Sequence, residues 1–252
     1  MKRNSAPVLI SLSSFGRSLA LEQGQAALAE IAALAGADGV EYRGELQRAE
    51  PGELAGQRSV AQEHGLSTVW SSPEGMWDAA GVLDTGALER AFAVAQELGA
   101  YRVKMSLGGY ACGCDLKPLQ PWVMRADIEL VVENDQTEQA GTEGPLEDFF
   151  RRTRALGWRI PMTFDMGNWH WTGEDPLACA QAFGSQVGYV HAKGVYKRAQ
   201  DWVAVPLSES QAAWRAVFRK LPADVPRAVE YPLQGDDLVA VTRQAVDALR
   251  SL

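Results

Sequence analysis

Residues 128–165 read IELVVENDQTEQAGTEGPLEDFFRRTRALGWRIPMTFD. They open on a β-rich apolar run, 128–133, that closes on Glu133, and they end on a second run, 160–165, that closes on Asp165. Between them, 143–156 carries apolar residues at helical spacing. Two strands joined this way are parallel, because a parallel pair needs a crossover of a dozen or more residues.

The same rhythm extends outward in both directions. Strands are expected at 7–12, 38–42, 66–71, 101–106, 187–192 and 226–231, and helices at 20–35, 50–64, 84–98, 208–219 and 235–250. In 84–98 the stripe is Ala87, Ala91, Val94, Ala95 and Leu98. Eight strands in 252 residues give about 31 residues per unit, the length of one β/α module. The expected fold class is therefore α/β, a single (β/α)8 TIM barrel over residues 1–252 with a parallel eight-stranded core. An open dinucleotide-binding sheet loses its main support, because Ser13-Ser14-Phe15-Gly16 supplies one glycine where a Gly-x-Gly-x-x-Gly turn belongs. No Pro- or Ser-rich linker divides the chain. The poorest helical pattern is Gly108–Pro121, which reads as a loop over the mouth of the barrel.

Composition narrows the partners. Lys and Arg number 24 against 32 Asp and Glu, a formal charge of −8, which disfavours nucleic acid and anionic membranes. No apolar stretch approaches the roughly 18–20 residues needed to cross a bilayer, and Met1–Pro7 lacks a signal-cleavage pattern. Three cysteines cannot all pair, and Cys112-Gly-Cys114 has no second pair or nearby His to complete a zinc set. It reads as a surface loop, and the expected location is cytoplasmic.

In a barrel of this kind, catalytic groups come from the C-terminal strand ends. The second run ends in Val40-Glu41-Tyr42. The last four end on Glu133, Asp165, His191 and Glu230, spaced 32, 26 and 39 residues apart, about one module each. Alone, each has a plainer explanation: a carboxylate caps the next helix, and a histidine hydrogen-bonds in the core. Together they converge, and three carboxylates beside an imidazole need a proton or a cation to compensate them. The mostly oxygen donor set suits one divalent metal ion, Mn2+ or Mg2+ first, with Co2+ or Zn2+ also compatible. Alternation points Lys193 inward with His191. Lys104, within a strand run, needs a pocket or a carboxylate partner. Among the eight tryptophans, Trp70 ends the third run, and Trp169 and Trp171 flank His170. Aromatic walls suit sugar faces, although packing is the commoner role.

The segments Leu130-Val131-Val132-Glu133-Asn134-Asp135, Thr163-Phe164-Asp165-Met166-Gly167-Asn168, Tyr189-Val190-His191-Ala192-Lys193 and Ala228-Val229-Glu230-Tyr231 resemble the xylose-isomerase-like TIM barrels. These are sugar (phosphate) isomerases and epimerases related in fold to endonuclease IV. The likeness covers the C-terminal half, and Gly39-Val40-Glu41-Tyr42-Arg43 adds a similar second-strand pattern. Within the family the chain is most similar to the epimerases of bacterial 2-ketogluconate utilisation.

The resemblance implies a metal-dependent isomerase or epimerase acting on a keto sugar or keto-sugar acid, phosphorylated or not. The carbonyl and a neighbouring hydroxyl would bind the metal, which stabilises an enediolate. Glu133 and Glu230 would be ligands and also the acid/base pair, with Asp165 and His191 mainly ligands. Substrate contacts are expected from Lys193, Asn168, His170, Lys104, Glu41 and Trp70. One departure stands out: many members carry Asp-x-x-His, whereas the third position after Asp165 is Asn168, with a histidine only at His170. Rival readings are a dehydroshikimate-dehydratase-like lyase and a non-catalytic sugar-binding barrel. An apurinic endonuclease would need more histidines than His64, His170 and His191. The expected assembly is a homodimer or homotetramer.

Overall fold

The strands run β1 (Val8–Ser11), β2 (Gly39–Arg43), β3 (Ser67–Trp77), β4 (Arg102–Gly108), β5 (Glu129–Glu133), β6 (Met162–Asp165), β7 (Val187–Ala192), β8 (Gly194–Arg198), β9 (Asp201–Val205) and β10 (Arg227–Val229). In this computed structural model, which describes residues 6–252, eight of them close into a parallel barrel in the order β1-β10-β7-β6-β5-β4-β3-β2. Residues 1–5, read above for a leader pattern, lie outside the described part. The closed order confirms the (β/α)8 expectation. The helices are α1 (Arg17–Gln23), α2 (Gln25–Leu34), α3 (Glu53–Glu63), α4 (Thr85–Leu98), α5 (Gln120–Val123), α6 (Glu143–Ala155), α7 (Trp169–Thr172), α8 (Pro176–Phe183), α9 (Trp214–Phe218) and α10 (Leu238–Arg250).

Local chemistry explains where these elements stop. Helix α4 starts at Asp84, whose side chain accepts from the Ala87 amide at 2.8 Å, and ends at Gly99 in the left-handed region, φ 70°. Its buried stripe is Ala87, Leu88, Ala91, Phe92, Ala95 and Leu98. The helix expected over 20–35 is broken at Gly24, φ 80°, into α1 and α2. The helix expected over 208–219 shortens to α9. Ser210 Oγ instead bonds both the amide and the carbonyl of Val195, and the Gln211 amide donates to the same carbonyl, so this stretch is tied to β8.

The β8–β9 hairpin is an antiparallel addition outside the barrel, and it carries Lys197 and Arg198. The segment after β4 holds only a short turn and α5. It is pinned to α6 rather than free over the mouth. Tyr110 packs edge-on against Trp77 and Phe149, and its hydroxyl donates to Asp148 at 2.7 Å. The three cysteines are free thiols, with Cys112 exposed and Cys179 buried. No described helix is long and apolar enough to cross a membrane.

Pairing register sets which residues meet at the mouth. Ser106 lies opposite Glu133, Glu133 opposite Thr163, Asp165 opposite His191, and His191 opposite Ala228. Side chains alternate between the barrel interior and the helix layer. Leu9, Val69, Tyr189 and Ala228 plug the interior below the mouth, while most of the remaining core lies between strands and helices.

Candidate metal centre

Four ligand atoms, one each from Glu133, Asp165, His191 and Glu230, lie within 4.8 Å of one another. His191 Nδ1 is 2.8 Å from Glu230 Oε2, 3.0 Å from Glu133 Oε1 and 3.8 Å from Asp165 Oδ2. Asp165 and His191 are fully buried, Glu230 nearly so, and Glu133 is 13% exposed.

Asp165 is aimed by its neighbours. The Asn134 side chain accepts from the Asp165 amide at 2.9 Å and donates to its carbonyl at 3.1 Å, so an amide side chain extends the short β5–β6 ladder by one rung. Asp165 Oδ1 then accepts the amides of Gly167 and Asn168 at 2.8 and 2.9 Å. The other oxygen, Oδ2, faces the cluster without a hydrogen-bond partner. Lys193 Nζ lies 2.7 Å from it but is shared with Glu230, so this buried oxygen still presents a lone pair to a cation at the cluster. Together with the convergent Glu-Asp-His-Glu set, it fits one divalent ion held by Glu133, Asp165, His191 and Glu230.

His191 is clamped from behind. Its Nε2 lies 2.9 Å from Glu41 Oε2, and Glu41 is fully buried. A carboxylate on one ring nitrogen fixes the imidazole so that the other faces the cluster. Glu41, expected among the substrate contacts, is thus placed beneath the histidine instead. Burial opposes its ionisation, but His191, Lys104 and Arg43 outweigh that and hold the carboxyl far below the ordinary range.

Three cations are built into the same knot. Lys104 Nζ sits 2.7 Å from Glu133 Oε2 and 3.1 Å from Glu41 Oε1. These are ion-pair distances whose angles fall outside hydrogen-bond geometry, since the ammonium has no hydrogen-bond partner. Lys193 Nζ lies 2.7 Å from Asp165 Oδ2, 3.0 Å from Glu230 Oε2 and 3.0 Å from Asn168 Oδ1. Gly167 makes room for this lysine, because a Cβ there would come within 2.7 Å of its Cδ. Arg43 Nη1 donates to Glu41 at 2.9 Å and Glu230 at 2.7 Å, and its Nε donates to Glu45 at 2.8 Å. In the sequence, Arg43 stands out only as the end of Gly39-Val40-Glu41-Tyr42-Arg43. The signal that would have found it is alternation, because inward-facing Glu41 puts Arg43 on the same face.

The charge balance sets the protonation pattern. Burial resists charge on His191, but Glu230, Glu41 and Glu133 raise its pKa well above the ordinary imidazole value. Without a metal, both ring N–H groups therefore donate to carboxylates. Burial resists charge on both glutamates; Lys104 and His191 prevail at Glu133 and lower its pKa, and His191, Lys193 and Arg43 hold that of Glu230 well below the ordinary value. Asp165 goes the other way: desolvation raises its pKa.

The remaining predicted contacts are placed elsewhere. Trp70 is 4% exposed and faces the helix layer, beside Gly44, Leu54 and Ala91, because neighbours Val69 and Ser71 take the interior side. Asn168 is committed within the protein. Its Nδ2 donates to the Asn134 carbonyl at 2.9 Å, and its Oδ1 accepts from Lys193 and, at 3.0 Å, from Gln136. His170 packs against Trp202 of the hairpin, ring centroids 4.7 Å apart. The open space beside the cluster is on the other side, a cavity of about 260 Å3 whose walls include Arg43, Ser71, Lys104, Ser106, Glu133 and Asp135. Three larger clefts, of about 280, 400 and 760 Å3, are lined by no residue of the cluster and do not adjoin this chemistry.

The chain belongs to the family described as xylose isomerase-like TIM barrels, whose model matches residues 29–252. No curated protein matches it. Among solved structures it resembles a xylose isomerase-like TIM barrel/4-hydroxyphenylpyruvate dioxygenase fusion protein, with TM-score 0.72 and 19% identity over 98% of this chain; it spans only 42% of that longer protein. It is also similar to a D-allulose 3-epimerase from Methylomonas sp., solved with D-allulose (TM-score 0.70, 14% identity, 98% of this chain and 97% of that one). A third is the probable 3-DHS dehydratase involved in petrobactin synthesis from Bacillus anthracis (TM-score 0.64, 12% identity, 96% and 98%). At these identities the likeness is one of fold.

Proposed function

We propose that the protein is a divalent-metal-dependent isomerase or epimerase of a keto sugar. The observation that carries this reading is the convergence of Glu133 and Glu230 on the same nitrogen of His191, Nδ1, at 3.0 and 2.8 Å, with Glu133 opening onto the adjoining cavity. A bound Mn2+ or Mg2+ would supply Lewis acidity to a carbonyl and lower the pKa of the neighbouring C–H. The rest falls to the chain's own residues. Glu133 is the less strongly held of the two glutamates, so it removes the proton. Glu230, fixed and kept ionised by Arg43, Lys193 and His191, takes a proton from solvent before it delivers one to the carbon, while the proton on Glu133 passes to solvent. Glu41 keeps the imidazole oriented, and Lys104 keeps Glu133 ionised and in place. Family membership, and a fold shared with a sugar epimerase, support the assignment.

The test is a screen for exchange of substrate C–H with solvent deuterium over a panel of ketoses and keto-sugar acids with Mn2+. Glu133→Gln, with metal content matched to wild type, is expected to lose about 10²–10⁴-fold in exchange rate, the usual worth of a positioned acid/base. Full-rate exchange in that variant would remove Glu133 as the base. Water loss from a dehydroshikimate-type substrate in the same screen would favour the lyase reading.

A further inference from the structure

The cavity beside Glu133 carries a charge pattern that discriminates among sugars. Among the described residues, each cation around it is already paired: Lys104 with Glu41 and Glu133, Lys193 with Asp165 and Glu230, and Arg43 with Glu41, Glu230 and Glu45. Glu45 and Asp135 add two more carboxylates at the rim. Six carboxylates thus face three basic side chains, and a divalent ion still leaves the mouth one positive charge short. A phosphate or carboxylate brought here would meet Glu45 and Asp135, and the charge of Arg43 and of Lys104 is already shared by two or more carboxylates.

The cavity is nevertheless rich in hydrogen-bonding groups of both kinds. Arg43 uses Nε and Nη1 on carboxylates, which leaves Nη2 to donate to a ligand. Ser71 and Ser106 stand on its wall with hydroxyls that donate or accept, and Glu133 and Asp135 accept only. A polyol chain, each hydroxyl both donor and acceptor, matches that mixture, whereas an anion offers acceptors alone. At about 260 Å3 the space is just below the ~300–1,000 Å3 of ordinary ligand pockets, so the ligand is small.

We infer that the substrate is a neutral, unphosphorylated keto sugar, whose hydroxyl chain lies along Arg43, Ser71 and Ser106, and that Glu45 and Asp135 exclude anionic analogues. The inference rests on the isomerase or epimerase reading above. It narrows that reading from keto sugars and sugar acids, phosphorylated or not, to one class.

Carbonyl-free probes separate binding from turnover. Calorimetric titration of the Mn2+-loaded protein with D-glucitol, D-glucitol 6-phosphate and D-gluconate should show glucitol binding, with both anions at least about tenfold weaker. Added salt should shrink that gap, because it screens repulsion at an exposed rim. The Glu45→Gln/Asp135→Asn double variant should shrink it several-fold as well. Either anion binding as tightly as glucitol, or no binding of glucitol at all, would overturn the inference. A gap that neither salt nor the double variant reduces would overturn its electrostatic basis. Glucitol binding without deuterium exchange in any keto sugar would instead defeat the catalytic reading and leave the binding class standing.

Discussion

The two halves of the barrel divide the site between them. Strands β5, β6, β7 and β10 supply the four converging donors Glu133, Asp165, His191 and Glu230. Strands β2, β3 and β4 supply what the donors require: the Glu41 clamp, the cations Arg43 and Lys104, and the serines lining the adjoining space. One half carries the charges that would hold a metal, and the other makes that concentration of charge tolerable and leaves room for a ligand. A buried set of like charges is thus held across the whole ring of strands, the converging donors coming from one half and two of their three basic partners, Arg43 and Lys104, from the other.

The sharpest way to break this division is to remove a counterion from the first half. Lys104→Met leaves Glu41 and Glu133 without their shared ammonium, and it should destabilise the metal-free protein by about 3–5 kcal/mol in a denaturant titration. An unchanged midpoint would mean that Lys104 is not needed to hold the donors together. A smaller effect is expected one step removed from the metal. Glu41→Gln keeps a hydrogen bond to His191 but loses the charge, and it should weaken Mn2+ binding by about 10–100-fold by calorimetry. Equal affinity in the variant would deny the first half any part in tuning the second.

The pH dependence sharpens the same comparison. His191 has a raised pKa in the folded protein, so its pairing with Glu41 and Glu230 stabilises the metal-free form fully below the unfolded imidazole value of about 6.5. That contribution is lost as pH rises through the raised folded value. Metal binding at Nδ1 displaces this proton, so Mn2+ affinity should climb with pH, by up to about tenfold per unit while one proton is released. Titrations in buffers of different ionisation enthalpy would count the proton. The smallest effect belongs to His170, outside both halves of the site. His170→Ala should leave Mn2+ affinity and deuterium exchange within about twofold, its contact being with Trp202 of the hairpin. A large loss of exchange would place the hairpin in the site.

The four donors were legible because each closes an apolar run and their spacings match one module; parallel closure then forces such ends together. Lys193 followed from His191 by alternation. Position along a strand does not by itself settle where a side chain goes. Trp70 ends a run as Glu133 does, but it stands one residue out of phase with the inward face, and so it packs under the helices. Glu41 has the right phase but sits where His191 covers it. Asn134, with its two bonds to the Asp165 backbone, left no spacing signal at all, because its role depends on a ladder that exists only once β5 and β6 pair.

By itself, the sequence determined the closed parallel barrel and the convergence of Glu133, Asp165, His191 and Glu230, because periodicity and module length act locally and repeat along the chain. Tertiary structure alone decided which carboxylates converge with His191 Nδ1 and which clamps its other nitrogen, how Arg43, Lys104 and Lys193 are shared among them, and on which side of the mouth the open space lies. Those outcomes depend on distances of about 3 Å between residues up to 187 positions apart, Arg43 and Glu230 among them. No pattern along one strand encodes such distances; the packing of eight strands around one axis sets them.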